Sequence, residues 1–216
     1  MQSVLVIGLG KLGYHLAMKM QELGNDVMVV DSNAELVEQY ADRFTDSHIG
    51  DCTNREVLSS LDVPSFDICF VTIGSNFEAS VIITLLLKKL GASFIVAKAG
   101  KEVQRELLYS IGANEVIYPE YELAEKLAVR YDSENIFDYI PLTDTHAVYE
   151  ITVPRAWLGK SLREVNARQK YAVNIIAVKH GGDIDPVPDA DRLFSDEDHL
   201  MIIGRSEDVF KLVSMR

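Results

Sequence analysis

The sequence predicts an α/β fold, a doubly wound parallel sheet followed by a second, smaller α+β domain. Three observations predict it. Over the first ~130 residues, short β-branched runs alternate with amphipathic stretches of helical length, as in βαβ units on a parallel sheet. The segment "VLVIGLGKLGYHL" (4–16) places a glycine-rich turn between the first strand and the first helix. Near residue 135 the alternation stops and does not resume.

Each element follows from local signals. "SVLVIG" (3–8) is the first strand, and the helix over 11–23 ends at Gly24, a residue suited to a left-handed cap. "DVMVVD" (26–31) is the second strand. The helix over 33–43 starts on a polar capping residue and carries acids in its first turn, as does the helix over 53–61 after the third strand, "SHIG" (47–50). "DICFVTIG" (67–74) leads to a helix over 76–90 closed by Gly91, and "FIVAKA" (94–99) to one over 101–111 closed by Gly112. "EVIYP" (115–119) and a helix over 120–131 complete the set. Four of the six strands are nearly all apolar, which suits strands covered by helices on both faces.

Residues 132–140 are polar and then extended, so the first domain is read as 1–134 and the second as 135–216. The second contains strands at 147–153, 173–181 and 199–204, helices at 161–171 and 206–215, and an acidic loop, "GDIDPVPDADRLFSDED". At about 80 residues it has the size of a binding module rather than of a second catalytic lobe.

Composition narrows the function. The 216 residues are 48% hydrophobic and 25% charged, values of a folded globular chain. A net charge of -12 repels phosphate backbones and anionic headgroups, so no nucleic acid partner is expected. No apolar run approaches the ~20 residues of a membrane span, and the start lacks the basic and cleavage regions of a signal peptide; a cytoplasmic protein is expected. Cys52 and Cys69 form no metal-like spacing and read as small buried hydrophobes.

Gly8, Gly10 and Gly13 form G-x-G-x-x-G between a strand and a helix, the context in which the motif indicates a Rossmann-like nucleotide site. Gly8 permits the tight turn, Gly10 the approach of a diphosphate, and Gly13 close helix packing, with the phosphates against the helix start near Lys11. Asp31 ends the second strand 18 residues beyond Gly13, where a carboxylate accepts ribose hydroxyls and repels a 2′-phosphate. Asp51 either accepts an adenine amino group or caps the next helix. Thr72 to Asn76, "TIGSN", opens the other half of the crevice at the switch point. The candidate contacts are Gly8, Gly10, Lys11, Leu12, Gly13, Asp31, Ser32, Asp51, Cys52, Thr72, Gly74, Asn76 and Lys98.

The five histidines lie in no catalytic frame, and no nucleophile elbow, HExxH, EF-hand or phosphate-hydrolysing loop is present. The chain therefore reads as a sensor and not an enzyme. The competing reading is an NAD-dependent oxidoreductase or a redox-sensing NAD-binding domain.

In order and spacing, "VIGLGKLG", "VVDSN", "GDCTN", "VTIGSNFEAS", "VAKAGKEVQRELLYSIGANEVIYPE" and "LREVNARQKYAVNIIAVKHGGDI" resemble the blocks of the RCK (regulator of potassium conductance) family, of the cytosolic KtrA and TrkA type. The resemblance implies an N-domain that binds ATP, ADP or NAD(H) and a C-domain of the RCK_C (TrkA_C) type. It also implies homodimers assembled into a homo-octameric ring on a Ktr- or Trk-type potassium-translocating membrane subunit, peripheral to the inner face of the membrane. Lys98 matches a lysine near phosphate. Glu120 matches a glutamate that binds calcium, magnesium or sodium at the dimer interface. KtrA-like members often carry arginine where Lys11 stands, and lysine lacks its planar fork. Arg168, Asn174 and Ile175 lie in the segment where some relatives bind cyclic di-AMP, or else serve core and dimer packing.

Overall fold

The computed structural model describes residues 1–215 and divides the chain into two compact units, Met1–Glu120 and Tyr121–Arg216. In the first unit β1 (Ser3–Ile7), α1 (Lys11–Glu22), β2 (Asp26–Asp31), α2 (Ala34–Tyr40), β3 (Asp46–Ile49) and α3 (Arg55–Ser60) form one half. The other half is β4 (Ile68–Val71), α4 (Phe77–Lys89), β5 (Ile95–Lys98), α5 (Glu102–Ser110) and β6 (Glu115–Ile117), after which α6 (Pro119–Asp132) begins. The six strands are parallel in the order β3-β2-β1-β4-β5-β6. The chain reverses direction of growth between β1 and β4, and the crevice opens there.

Alternation along β1 explains the layers. Leu5 and Ile7 join a core with Leu58, Cys69, Ile83 and Leu108, whereas Val4 and Val6 face a second core with Ala17, Val29 and Val37. Both faces of the strand are covered, which is why it is apolar at every position. Gly24, Gly91 and Gly112 adopt the positive φ that their place after α1, α4 and α5 predicts.

The second unit holds a five-stranded antiparallel sheet, β7 (Ile136–Pro141), β8 (His146–Thr152), β9 (Asn174–His180), β10 (Asp183–Asp185) and β11 (Asp198–Arg205), in the order β10-β9-β11-β8-β7. Helices α7 (Leu162–Val165), α8 (Ala167–Tyr171) and α9 (Ser206–Val213) accompany it around a core centred on Tyr149, Trp157, Leu200 and Ile202.

The structure corrects two elements. The expected helix over 161–171 is two short helices, because Asn166 takes a left-handed conformation with φ 47° between α7 and α8. The acidic loop contains a strand, β10, which pairs with β9 through Asp183, Ile184 and Asp185. Most of α6, read in the sequence as the last helix of the first domain, groups with the second unit, where Val129 packs on the core and Lys126 pairs with Asp138.

Candidate functional site

A cleft of about 650 Å³ opens at the carboxyl edge of the parallel sheet. Its lining includes Gly8, Gly10, Asp31, Ser32, Asp51, Cys52, Thr72, Gly74 and Asn76, nine of the sequence-predicted contacts. Lys11, Leu12 and Gly13 follow Gly10 in the first turn of α1 and are not in the lining, nor is Lys98.

The glycine turn is held from two sides. Gly8, at φ +100°, lies in the region that disfavours L side chains. Its amide donates to Val30 O (2.8 Å), and the buried Thr72 hydroxyl donates to Gly8 O (2.7 Å). Gly13 is compulsory for packing: a Cβ there would stand 1.9 Å from Gly8 O and 2.5 Å from Thr72 Oγ1. Gly10 is different, because a Cβ there meets nothing within 4 Å; the space beside it is the cleft itself.

Gly10 starts α1 without a side-chain cap, and the first turn of α1 carries no acid. Its N–H groups and the positive end of its dipole are therefore available to an anion. The neighbouring helices are closed: Asn33 caps α2, Asn54 caps α3 and Asn76 caps α4, each with an acid in the first turn.

Asp31 holds the turn as well as facing the cleft. Its Oδ2 accepts from Leu9 N (2.6 Å) and its Oδ1 from Asn33 N (2.8 Å). Asp51 is not the cap of α3, which is Asn54; instead its Oδ1 accepts from both the amide (2.9 Å) and hydroxyl (2.7 Å) of Thr53. Those two bonds, the hydroxyl foremost, hold the Asp51 carboxyl below the usual range, and Oδ2 is left as an acceptor at the cleft. Burial pushes the Cys52 thiol up to about 12, so it lines the cleft as a neutral apolar group, with no nucleophilic thiolate.

Lys98 lies behind Gly74, its Nζ 3.3 Å from where a Gly74 Cβ would be, and donates to Glu120 Oε1. The lysine side chain is 13% exposed and the glutamate 64%. That bond holds the Glu120 carboxyl below its ordinary value. Among the described residues, no group of three or more His, Cys, Asp or Glu side chains is placed to hold a metal ion. Glu120 is a single carboxylate with a lysine on it.

Ser75 lines the cleft within the expected Thr72 to Asn76 segment, whereas sequence reasoning missed Asn33, Thr53 and Glu78 in the lining. The first two follow carboxylates at strand ends, where Asx turns form, and that signal was available. In the second unit Arg168 Nη2 donates to Asn174 Oδ1 (2.8 Å), and both line a pocket of about 320 Å³ with His146, Arg205 and Asp208; Ile175 instead packs against the core.

Against known families, residues 4–119 match the TrkA-N domain and residues 147–214 the TrkA-C domain. The chain belongs to the TrkA family. The match of TrkA-N ends at the junction of β6 and α6, and that of TrkA-C covers the sheet from β8 to α9. Among curated relatives, the chain is 35% identical to Ktr system potassium uptake protein C and 36% to Ktr system potassium uptake protein A, both of Bacillus subtilis (strain 168). Each match covers 94% of this chain and 92% of the relative. A Ktr system potassium uptake protein A of Vibrio alginolyticus is 27% identical over 92% of this chain and 90% of its own. Among solved structures, the GsuK channel superposes with a TM-score of 0.74 over 99% of this chain at 20% identity, and the GsuK channel bound to NAD with 0.72. These likenesses establish the fold. The chain spans 39% of the length of those channel chains.

Proposed function

We propose that this chain is a nucleotide-binding regulatory subunit of a potassium-transport system, which takes ATP, ADP or NAD(H) in the cleft of its first unit and changes shape without consuming the ligand. The observation that carries the reading is the open N-terminus of α1 beside Gly10, in a chain whose two-unit layout matches Ktr potassium uptake proteins along nearly its whole length. A diphosphate meets the first-turn N–H groups of α1, the ribose hydroxyls meet Asp31, and an adenine amino group meets the free oxygen of Asp51. That a channel of the same fold has been solved bound to NAD, and another form bound to ADP, supports both ligand classes.

Among the described residues that line the cleft there is no histidine and the cysteine, Cys52, is a neutral thiol, so these side chains offer no activated nucleophile or imidazole base. This supports sensing over turnover. No described helix is long and apolar enough to cross a membrane, so action on potassium flux requires a membrane partner, which in this reading is a Ktr- or Trk-type translocating subunit on the cytoplasmic face. The relatives' names, Ktr system potassium uptake proteins, support a role in potassium transport. Homodimers, and a ring of eight, would multiply a small ligand-induced change.

A calcium, magnesium or sodium ion at Glu120 fits only as a shared ion, because hard cations take six or more oxygen ligands and one chain supplies one carboxylate here. Phosphate oxygens and a second copy's Glu120 would complete it, with Lys98 displaced. Cyclic di-AMP at the Arg168–Asn174 pocket is a secondary ligand in this reading; the existing side-chain bond between the two residues also serves local packing without it.

The test is potassium flux through a Ktr-type membrane subunit reconstituted in vesicles with this chain, with ATP, ADP, NAD or NADH added. Nucleotide-dependent flux with the nucleotide recovered intact supports the proposal; flux indifferent to every nucleotide refutes it.

A further inference from the structure

The charge of the cleft bears on which ligand it takes. Asp31, Asp51 and Glu78 line it and, among the described residues, no lysine or arginine does. Two of these acids are committed to backbone hydrogen bonds, Asp31 to Leu9 and Asn33 and Asp51 to Thr53. Glu78 is exposed and its side chain makes no hydrogen bond or ion pair among the described residues. It stands in the first turn of α4, across the crevice from the open end of α1.

The two helix ends facing the crevice are thus opposite in character. The α1 end is uncapped and free of acids, a station for phosphate. The α4 end is capped by Asn76, which accepts from Ala79 N, and is neutralised by Glu78. Lys98, the nearest cation behind Gly74, is tied to Glu120. A ligand that runs from Asp31 across Gly10 and on toward Gly74 meets positive potential at its diphosphate and a free carboxylate beyond it. A second phosphate station on that side is missing.

We propose that Glu78 is a specificity determinant that sets the charge of the accepted ligand, favouring a dinucleotide, whose diphosphate is followed by an uncharged or cationic group, over a nucleoside triphosphate. The inference rests on the nucleotide reading of the cleft. Its physical basis is like-charge repulsion between the carboxylate and a further phosphate, strengthened by the low-dielectric walls of the cleft.

Isothermal titration of the full chain with NAD, ADP and ATP, in low salt with EDTA, compares the native protein with Glu78→Gln and Glu78→Ala. The substitutions are exposed and remove one charge, and two variants guard against a local packing effect of either. The expected result is a rise of about three- to ten-fold in the ATP-to-NAD affinity ratio in both variants, shrinking as salt is added. An unchanged ratio in both overturns the assignment while leaving the nucleotide site intact. A fall in ATP affinity of the variants when magnesium replaces EDTA also overturns it, since Glu78 would then be a ligand of a phosphate-bound cation. Absence of binding by any of the three nucleotides to the native chain overturns the nucleotide reading and this inference with it.

Discussion

Gly10 and Gly13 lie three residues apart in one motif, yet the structure predicts opposite consequences for Gly→Ala at the two positions. At Gly13 the new methyl would sit 1.9 Å from Gly8 O and 2.5 Å from Thr72 Oγ1, and both are buried at the centre of the turn. Relief requires α1 to move away from the turn by more than 1 Å, an overpacking cost of about 1–3 kcal/mol or more, against which the better helix propensity of alanine returns at most about 1 kcal/mol. A net loss of about 2 kcal/mol is expected, which lowers the melting temperature of the first unit's transition by about 8 °C. At Gly10 the methyl meets nothing within 4 Å, and φ -60° is open to any residue. Stability should change by less than about 1 kcal/mol, the scale of an N-cap substitution. Nucleotide binding should fall at least tenfold, because the methyl occupies the approach of the diphosphate to α1. Urea unfolding with and without NAD or ADP reads both effects. Gly10→Ala with an undiminished ligand-induced shift, or Gly13→Ala with unchanged stability, would refute this division of roles.

Other consequences are as specific. Asp31→Ala should weaken nucleotide binding and also loosen the glycine turn, since Leu9 N and Asn33 N lose their acceptor; faster amide exchange at Leu9 in the ligand-free protein is the measurement, and unchanged exchange counts against it. Lys11→Ala should weaken ATP binding more than NAD binding in paired titrations, with equal losses contradicting a phosphate role for that lysine. Asp198, 1% exposed, accepts from Ser195 N, His180 Nδ1 and Arg192 Nη2, so Asp198→Ala should cost the second unit about 3 kcal/mol in urea unfolding; a loss under about 1 kcal/mol would show the network to be dispensable. Burial raises the Asp198 and Glu150 pKa values, but bonds from Ser195 and His180 to the first, and from His199 and Lys179 to the second, outweigh it and leave both lowered. A carboxyl lowered by folding stabilises above its unfolded value and loses that contribution as pH falls through the folded one, so the second unit should weaken below about pH 4, and Asp198→Ala should flatten that acid limb.

Much of the fold was legible because local signals and long-range demands agree in the first unit. Val4 to Ile7 are apolar throughout because two cores cover β1, and periodicity reports that burial. Asn33 was readable as a cap, and Gly24, Gly91 and Gly112 as stops, because each acts within one turn of its own position. The second unit was less legible. The left-handed Asn166 breaks a segment of otherwise good helix formers, and β10 forms within an acidic loop because β9 offers it an edge, which composition does not report. At the site, the glycines and Asp31 announced themselves by spacing. The role of Thr72 did not: which carbonyl its hydroxyl meets depends on strands brought together by the sheet, whereas the bonds from Thr53 to Asp51 are local and compete with the capping role that spacing also allows. Glu78 carried an ordinary first-turn signature, and only the crevice across from α1 gives its charge a consequence.

The most direct test of a nucleotide sensor without turnover is calorimetric titration of the full chain with NAD, ADP and ATP, followed by recovery and chromatographic analysis of the ligand after prolonged incubation. The account predicts saturable binding at one site per chain, lost in Gly10→Ala, with the nucleotide recovered unchanged. Absence of binding, or progressive conversion of the bound nucleotide, would contradict it.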